Sequence, residues 1–292
     1  MESWFLHAVG AAVFAALVTI LAKIGVRNVD SHLATAIRTV VVLVFAWGMV
    51  FFVGSQSGVF HADVRTWVFL ILSGLATGAS WLCYLRALQI GNVNRVVPVA
   101  KNSTILTMIL AFAFLREPIG IFTVSGMVLM AFGTWLMIEI KKSDGESNRN
   151  LSWLLFAVLT AVFASLTAIL ARVGFENIEA NLGTAIRTVA VLPMSLLMVF
   201  LTGGQKGITK IDKKSWLFLV LSGMATGASW LLFFRALQLG NASQVVPIDK
   251  LSIVLTMGFA RFFLGERFSR RSLAGLALLV SGTLLATIGP VL

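Results

Sequence analysis

Runs of apolar residues, each closed by a short polar stretch, follow one another along the whole of this 292-residue chain. At 1.5 Å per residue a helix needs roughly 20 such residues to cross about 30 Å of hydrocarbon. Ten runs approach or exceed that length, over residues 4–26, 32–53, 67–90, 95–115, 119–140, 152–175, 181–202, 216–239, 244–264 and 271–289. The pattern therefore predicts an all-α integral membrane protein with ten transmembrane helices. The first run follows Met1 and Glu2 with no basic segment ahead of it. It ends at Lys23 without a small-residue cleavage pattern, so it reads as a retained helix rather than a targeting peptide.

The same pattern is written twice. "LSGLATGASWL" at 72–82 returns as "LSGMATGASWL" at 221–231, and a shift of 149 aligns residues 3–142 with 152–291 without a gap, 67 of the 140 pairs being identical. The chain divides into a first five-helix repeat (1–141), a polar linker (142–150) and a second five-helix repeat (151–292). Five is an odd number, so the second repeat must enter the membrane from the face opposite to the first. Inverted repeats of this kind are a common plan of secondary transporters, with the substrate site at the interface between halves. Gly74 and Gly78, repeated as Gly223 and Gly227, place small residues four apart, a spacing that lets two helices approach closely in lipid. Ser80, Trp81, Ser229 and Trp230 fall mid-helix. An indole there is away from its favoured interfacial belt, so it faces either a cavity or a packed core.

Composition agrees with the pattern: 58% of residues are hydrophobic and 12% charged, and the mean hydropathy is +0.94. That leaves too little polar surface to coat a water-soluble globule. The net charge of +11 sits mostly in short loops beside spans, where orientation and anionic lipid explain it better than nucleic acid does. Cys83, the only cysteine, excludes an internal disulfide, and His7, His32 and His61 lack metal-ligand spacing. Neither a metal nor a cofactor is expected. No nucleophile, base and orienter can be assembled, and no phosphate-binding Gly-Lys loop occurs, so enzyme chemistry finds no support.

Read in order, each copy resembles the EamA domain of the drug/metabolite transporter superfamily. The residues that carry the resemblance are a first helix ending in Lys23 or Arg172, "TAIRTV" with Arg38 or Arg187, and a Gly-rich third helix closing on "RALQIGN" or "RALQLGN". After these come "VVPVAKNS" or "VVPIDKLS", with Pro98 or Pro247 opening the fourth helix, then "FLREP" or "FLGER" and a last helix with "SGMVLMAFGT" or "AGLALLVSGT". The resemblance covers nearly the whole chain. It implies a ten-helix carrier of a small metabolite, as exporters of amino acids and related compounds are in that family. The two halves are closer than is usual there, which marks either a fusion of a five-helix ancestor or an engineered duplication.

Nine of the 23 Lys and Arg fall inside or at the edge of spans, and eight of them are paired by the repeat. A charge within a span costs about 2.5–3.5 kcal/mol and normally faces a cavity or a partner. Lys23, Arg86, Arg172 and Arg235, close to helix ends, are expected to snorkel to the headgroups. Arg38, Arg187, Lys101 and Lys250 sit deeper and are expected to line a cavity. Guanidinium binds carboxylate or phosphate bidentately while ammonium acts as a point charge. Asp249 replaces Ala100 of the first copy and either neutralises Lys250 or carries a coupling proton. Glu117 and Glu266 are expected to cap the helix that follows each of them. No acid lies at mid-depth in the first or sixth span, which disfavours a cation-for-proton exporter.

The expected function is a secondary transporter of a small anionic or zwitterionic metabolite, working as a monomer in the lipid bilayer of a prokaryotic cell membrane. Its two repeats form a pseudo-dimer. A flippase for a polar-headed lipid and a duplicated scaffold without transport are the rivals. Away from the spans, one face receives twelve Lys and Arg and the other, which carries both termini, only Arg65 and Arg116. Basic loops stay cytoplasmic, so both termini are expected outside. The family usually places them inside.

Overall fold

A backbone surrounded by hydrocarbon must satisfy its own polar groups, and a sequence of long apolar runs without alternating polarity does so as helices. The computed structural model describes residues 3–25, 29–90, 96, 99–100, 102–137, 152–264 and 269–288. Among these the regular elements are all helical: Ser3–Gly25 (α1), Ser31–Val53 (α2), Val64–Ile90 (α3), Ser103–Leu115 (α4), Ile121–Met137 (α5), Ser152–Gly174 (α6), Ala180–Thr202 (α7), Lys213–Leu239 (α8), Ala242–Lys250 (α9), Ser252–Leu264 (α10) and Arg270–Ile288 (α11), with short 3-10 segments at Gln56–Phe60 and Gly204–Lys210. Six helices, α1, α2, α3, α6, α7 and α8, are long and apolar enough to cross a membrane.

Local sequence sets several of the ends. The carboxylate of Asp30 accepts the first backbone N–H groups of α2, Glu179 does so for α7 and Asp212 for α8. Both α2 and α7 stop where Gly54 (φ 78°) and Gly203 (φ 71°) turn left-handed, a conformation with no steric cost for glycine.

Each helix of one half packs on a helix of the other. The pairs are α1 with α8, α3 with α6, α5 with α11 and α2 with α7, and a shift of 149 turns the first pair into the second. Gly126 lies against Gly282 and Ala286, while Gly133 lies against Gly275 and Leu279, so α5 and its own copy α11 run antiparallel. The pair α1 and α8 is antiparallel too, with Gly10 meeting Leu232 and Gly25 meeting Leu219. Small residues line these seams, among them Ala8, Ala11, Ala16, Ala46 and Ala171, all fully buried. Large apolar side chains such as Phe52, Phe200 and Phe262 point outward. This inside-out distribution is what a hydrocarbon solvent permits, since packing rather than apolar burial holds such helices together.

Three sequence expectations change. The span expected at 244–264 is two helices meeting at Leu251, where the bonds from Leu251 N–H to Ile248 and from Val254 N–H to Leu251 tighten to an i−3 pattern. Pro247 does not open that helix; it lies inside α9, where its missing N–H removes one rung of the ladder just ahead of the break. Glu117 does not cap α5, the helix that follows it, and instead reaches across to α9. The 142–150 linker lies outside the described residues, as do Lys101, Pro98 and Glu266.

Candidate functional site

A cavity of about 430 Å³ lies between the halves and is lined from both. The first half contributes Thr77, Ser80 and Trp81 of α3 and Ser103, Thr104 and Thr107 of α4. The second contributes Thr167 of α6, Arg187 of α7, Ser229, Trp230, Phe233 and Phe234 of α8, and Val246, Asp249 and Lys250 of α9. Four of these residues, Ser103, Thr104, Asp249 and Lys250, also line a second chamber of about 350 Å³. That chamber continues past Asn102 and Tyr84 and is walled by Met130 of α5 and Leu279 of α11. Many of its walls are equivalent positions of the two repeats: Ala100 with Asp249, Ser103 with Ser252, Thr104 with Ile253, Met130 with Leu279. It therefore lies where the two copies exchange.

Arg187 is the buried cation in the wall of the larger cavity. It is 2% exposed, and its Nε donates to Ser73 Oγ at 3.0 Å while Nη2 donates to Thr77 Oγ1 at 2.5 Å. The guanidinium lies 4.5 Å from the ring centre of Phe234 and 5.1 Å from that of Trp230, contacts that favour a cation in a desolvated place. The two hydroxyls are held in turn. Ser73 Oγ donates to the carbonyl of Thr167 at 2.8 Å, Thr77 Oγ1 donates to the carbonyl of Ser73, and the Thr77 and Thr167 hydroxyls stand 3.2 Å apart. Nη1 is buried and has no partner. Among the described residues no carboxylate pairs with this guanidinium, so its charge is answered only by neutral hydroxyls and ring faces.

The repeat-related Arg38 is arranged more loosely. Its Nη2 donates to Thr226 Oγ1 at 2.8 Å, the counterpart of the Thr77 bond, but its Nε is buried without a partner. It does not line the cavity. Ser80 and Ser229 line the cavity wall and also tie helices together: Ser80 Oγ donates to the carbonyl of Thr160 at 3.0 Å, and Ser229 Oγ to that of Ala11 at 2.9 Å. Trp81 and Trp230 both reach the cavity. Lys250 stands 3.7 Å from Asp249, a partly exposed pair at the junction of the two chambers. Arg235 is exposed and donates to Gln238. Arg86 is exposed as well.

Gly74, Gly78, Gly223 and Gly227 are seam residues. A Cβ at Gly74 would stand 2.7 Å from the carbonyl oxygen of Arg187, and one at Gly223 would stand 2.6 Å from Val41. Gly78 presses on Met194 and Gly227 on Phe45, which are the same contact in the two halves. The close approach at Gly74 is what brings the α3 hydroxyls to the arginine of α7.

Sequence reasoning did not single out Ser73 and Thr77, or their copies Ser222 and Thr226. The signal was present as hydroxyls four apart on the turns that carry the glycines, in a chain whose buried arginines require donors' partners. Phe234 and Thr167 carried no comparable signal.

The fold and site belong to a membrane carrier assembled from two copies of one helical unit. Models of the EamA-like transporter family match residues 2–139 and 151–288, and the chain belongs to that family. A Sinorhizobium protein named "Uncharacterized transporter in cobO 3'region" is 46% identical over 137 residues, which is 47% of this chain but 97% of that protein. It thus corresponds to a single repeat. A Pseudomonas paraeruginosa protein named "Probable 4-amino-4-deoxy-L-arabinose-phosphoundecaprenol flippase subunit ArnE" is 38% identical over 74 residues, 25% of this chain and 62% of that protein. A solved crystal structure of another protein superposes with a TM-score of 0.76 over 98% of both chains at 18% identity. That likeness is one of fold.

Proposed function

We propose that the chain is a ten-span secondary transporter built as an inverted repeat, which carries a small anionic or zwitterionic metabolite through the cavity between its halves. The observation that carries this reading is Arg187, a guanidinium that lines the cavity shared by both repeats, has a buried Nη1 without a partner, and pairs with no carboxylate among the described residues. Such a group is stabilised by a ligand that brings the missing charge. The antiparallel packing of α5 on its own copy supports the inverted arrangement, and the break between α9 and α10 supplies an interrupted helix beside the site, as in many carriers. In proteoliposomes preloaded with unlabelled amino acids or organic acids, the protein should accelerate uptake of the labelled solute. Counterflow no faster than in protein-free vesicles across carboxylates, phosphates and zwitterions would reject the reading.

The orientation we propose follows the charge bias, with the basic linker face cytoplasmic and both termini outside. A reporter after Leu292 that is fluorescent in the cytoplasm, with one in the linker exported, would reverse it. A flippase reading is the alternative. It is favoured by the likeness to the subunit named as a flippase and by an apolar groove of about 470 Å³ between α2, α3 and α7, lined by Trp47, Trp67, Leu75 and Pro193. Transfer of a polar-headed lipid between leaflets, without solute counterflow, would establish it.

A further inference from the structure

Glu117 is 7% exposed, and its carboxylate spends both oxygens on the opposite half. Oε1 accepts the backbone N–H of Ala242 at 2.7 Å and Oε2 that of Ser243 at 2.9 Å. These are the first two residues of α9, where unpaired N–H groups and the helix dipole favour negative charge. The backbone is bent to make the contact. Arg116 is left-handed at φ 54°, the only non-glycine residue with positive φ among those described, and the repeat places Gly265 at the equivalent position. A side chain in that region costs roughly 1–3 kcal/mol and persists only where the surroundings hold it. Pro118 follows and disfavours a helical backbone at Glu117.

The contact lies at one end of the molecule. From Ser103, which lines both chambers, α4 runs to Glu117 over roughly 20 Å at 1.5 Å per residue. At that end Phe175, Leu182, Leu237, Ala242 and Val245 of the second half form one fully buried cluster with Leu70 and Ala111 of the first, and Arg65 of the first half meets Glu176 of the second at 3.7 Å. The two chambers lie on the other side of this plug. Helix α9 joins the regions, because its first turn is held by Glu117 and its last carries Asp249 and Lys250.

We infer that Glu117 is a positioning residue for transport: a latch by which the first half clamps the start of α9 and keeps that end of the cavity shut. This rests on the carrier reading above. To open that end the second half must withdraw the Ala242 and Ser243 amides from the carboxylate, so the latch biases the balance between the two access states without touching the ligand.

The test needs no substrate. In a Cys83→Ser background in lipid nanodiscs, spin labels on Gly120→Cys and Leu239→Cys, both exposed and flanking the contact from the two halves, report its width by pulsed dipolar spectroscopy. Glu117→Gln keeps the shape but offers one acceptor and no charge. It should raise the population of a longer separation about fivefold or more over Glu117, at a melting temperature close to that of the parent. Glu117→Ala should raise it further. Unchanged distances in both variants would overturn the latch, and so would variants that merely melt earlier with no longer population. Flat distances leave the carrier reading standing, whereas a responsive latch in a protein without counterflow would reject the carrier and keep the conformational device.

Discussion

Arg187 and Arg38 occupy the same place in the repeat and have different surroundings. Arg187 lines the cavity and holds two hydroxyls and two ring faces, with Nη1 buried and unpaired, while Arg38 holds a single hydroxyl, has Nε buried and unpaired, and does not line the cavity. Lysine at 187 would keep the charge and lose the planar fork that serves Ser73, Thr77 and a ligand together. Arg187→Lys should therefore weaken ligand binding at least about tenfold, the scale of one lost charge-assisted hydrogen bond. Arg38→Lys should leave affinity within about twofold, and isothermal titration checks both. Equal losses would mean that the two arginines share the ligand. The arginines were legible in the sequence because charge is rare in these spans. Their partners were not, because Ser73 and Thr77 sit among glycines and alanines in a stretch that reads as a packing face. Only the seam of α3 against α7, where the two helices run parallel from Gly74 at Ala190 to Gly78 at Met194, shows that their hydroxyls meet a residue 110 and more positions away.

At the level of helices, length and apolarity determine most elements, and the 149-residue repeat predicts which of them correspond. The pairing of α3 with α7 and of α8 with α2 depends on the glycines. Met194 already meets the bare Cα of Gly78, as Phe45 does that of Gly227. Gly78→Leu and Gly227→Leu should each lower the melting temperature by several degrees or abolish binding, since the side chains of Met194 and Phe45 already fill the space a larger residue would need. Parent-like melting and binding in both would show that the seam is looser than these contacts. The break at Leu251 was not legible. The apolar run from 251 onward looks continuous, and the interruption arises from Pro247 together with the polar Asp249 and Lys250 turning toward the chambers. The destination of Glu117 was equally hidden. A carboxylate after a helix reads as the cap of the next helix, whereas the left-handed turn at Arg116 sends it to the other half.

For the whole molecule, one copied unit supplies both walls of a cavity, and the differences between the copies decide what the cavity does. Asp249 stands where the first copy has Ala100, and Phe234 where it has Leu85, so the second half alone brings a carboxylate beside Lys250 and an aromatic face beside Arg187 to the cavity. A relative of single-repeat length fits a history in which one unit served both sides before the halves diverged. The central claim is that Arg187 awaits an anionic group carried by a small solute. Its most direct test is a thermal-shift panel of amino acids, organic acids, sugar phosphates and quaternary amines on purified protein, run in parallel on Arg187→Ala. A ligand that binds only the folded state at 100 times its dissociation constant stabilises by about 2.7 kcal/mol. One or more carboxylates or phosphates should raise the melting temperature of the parent by several degrees and leave Arg187→Ala unmoved. Stabilisation by quaternary amines alone, or an equal shift in Arg187→Ala, would contradict the account.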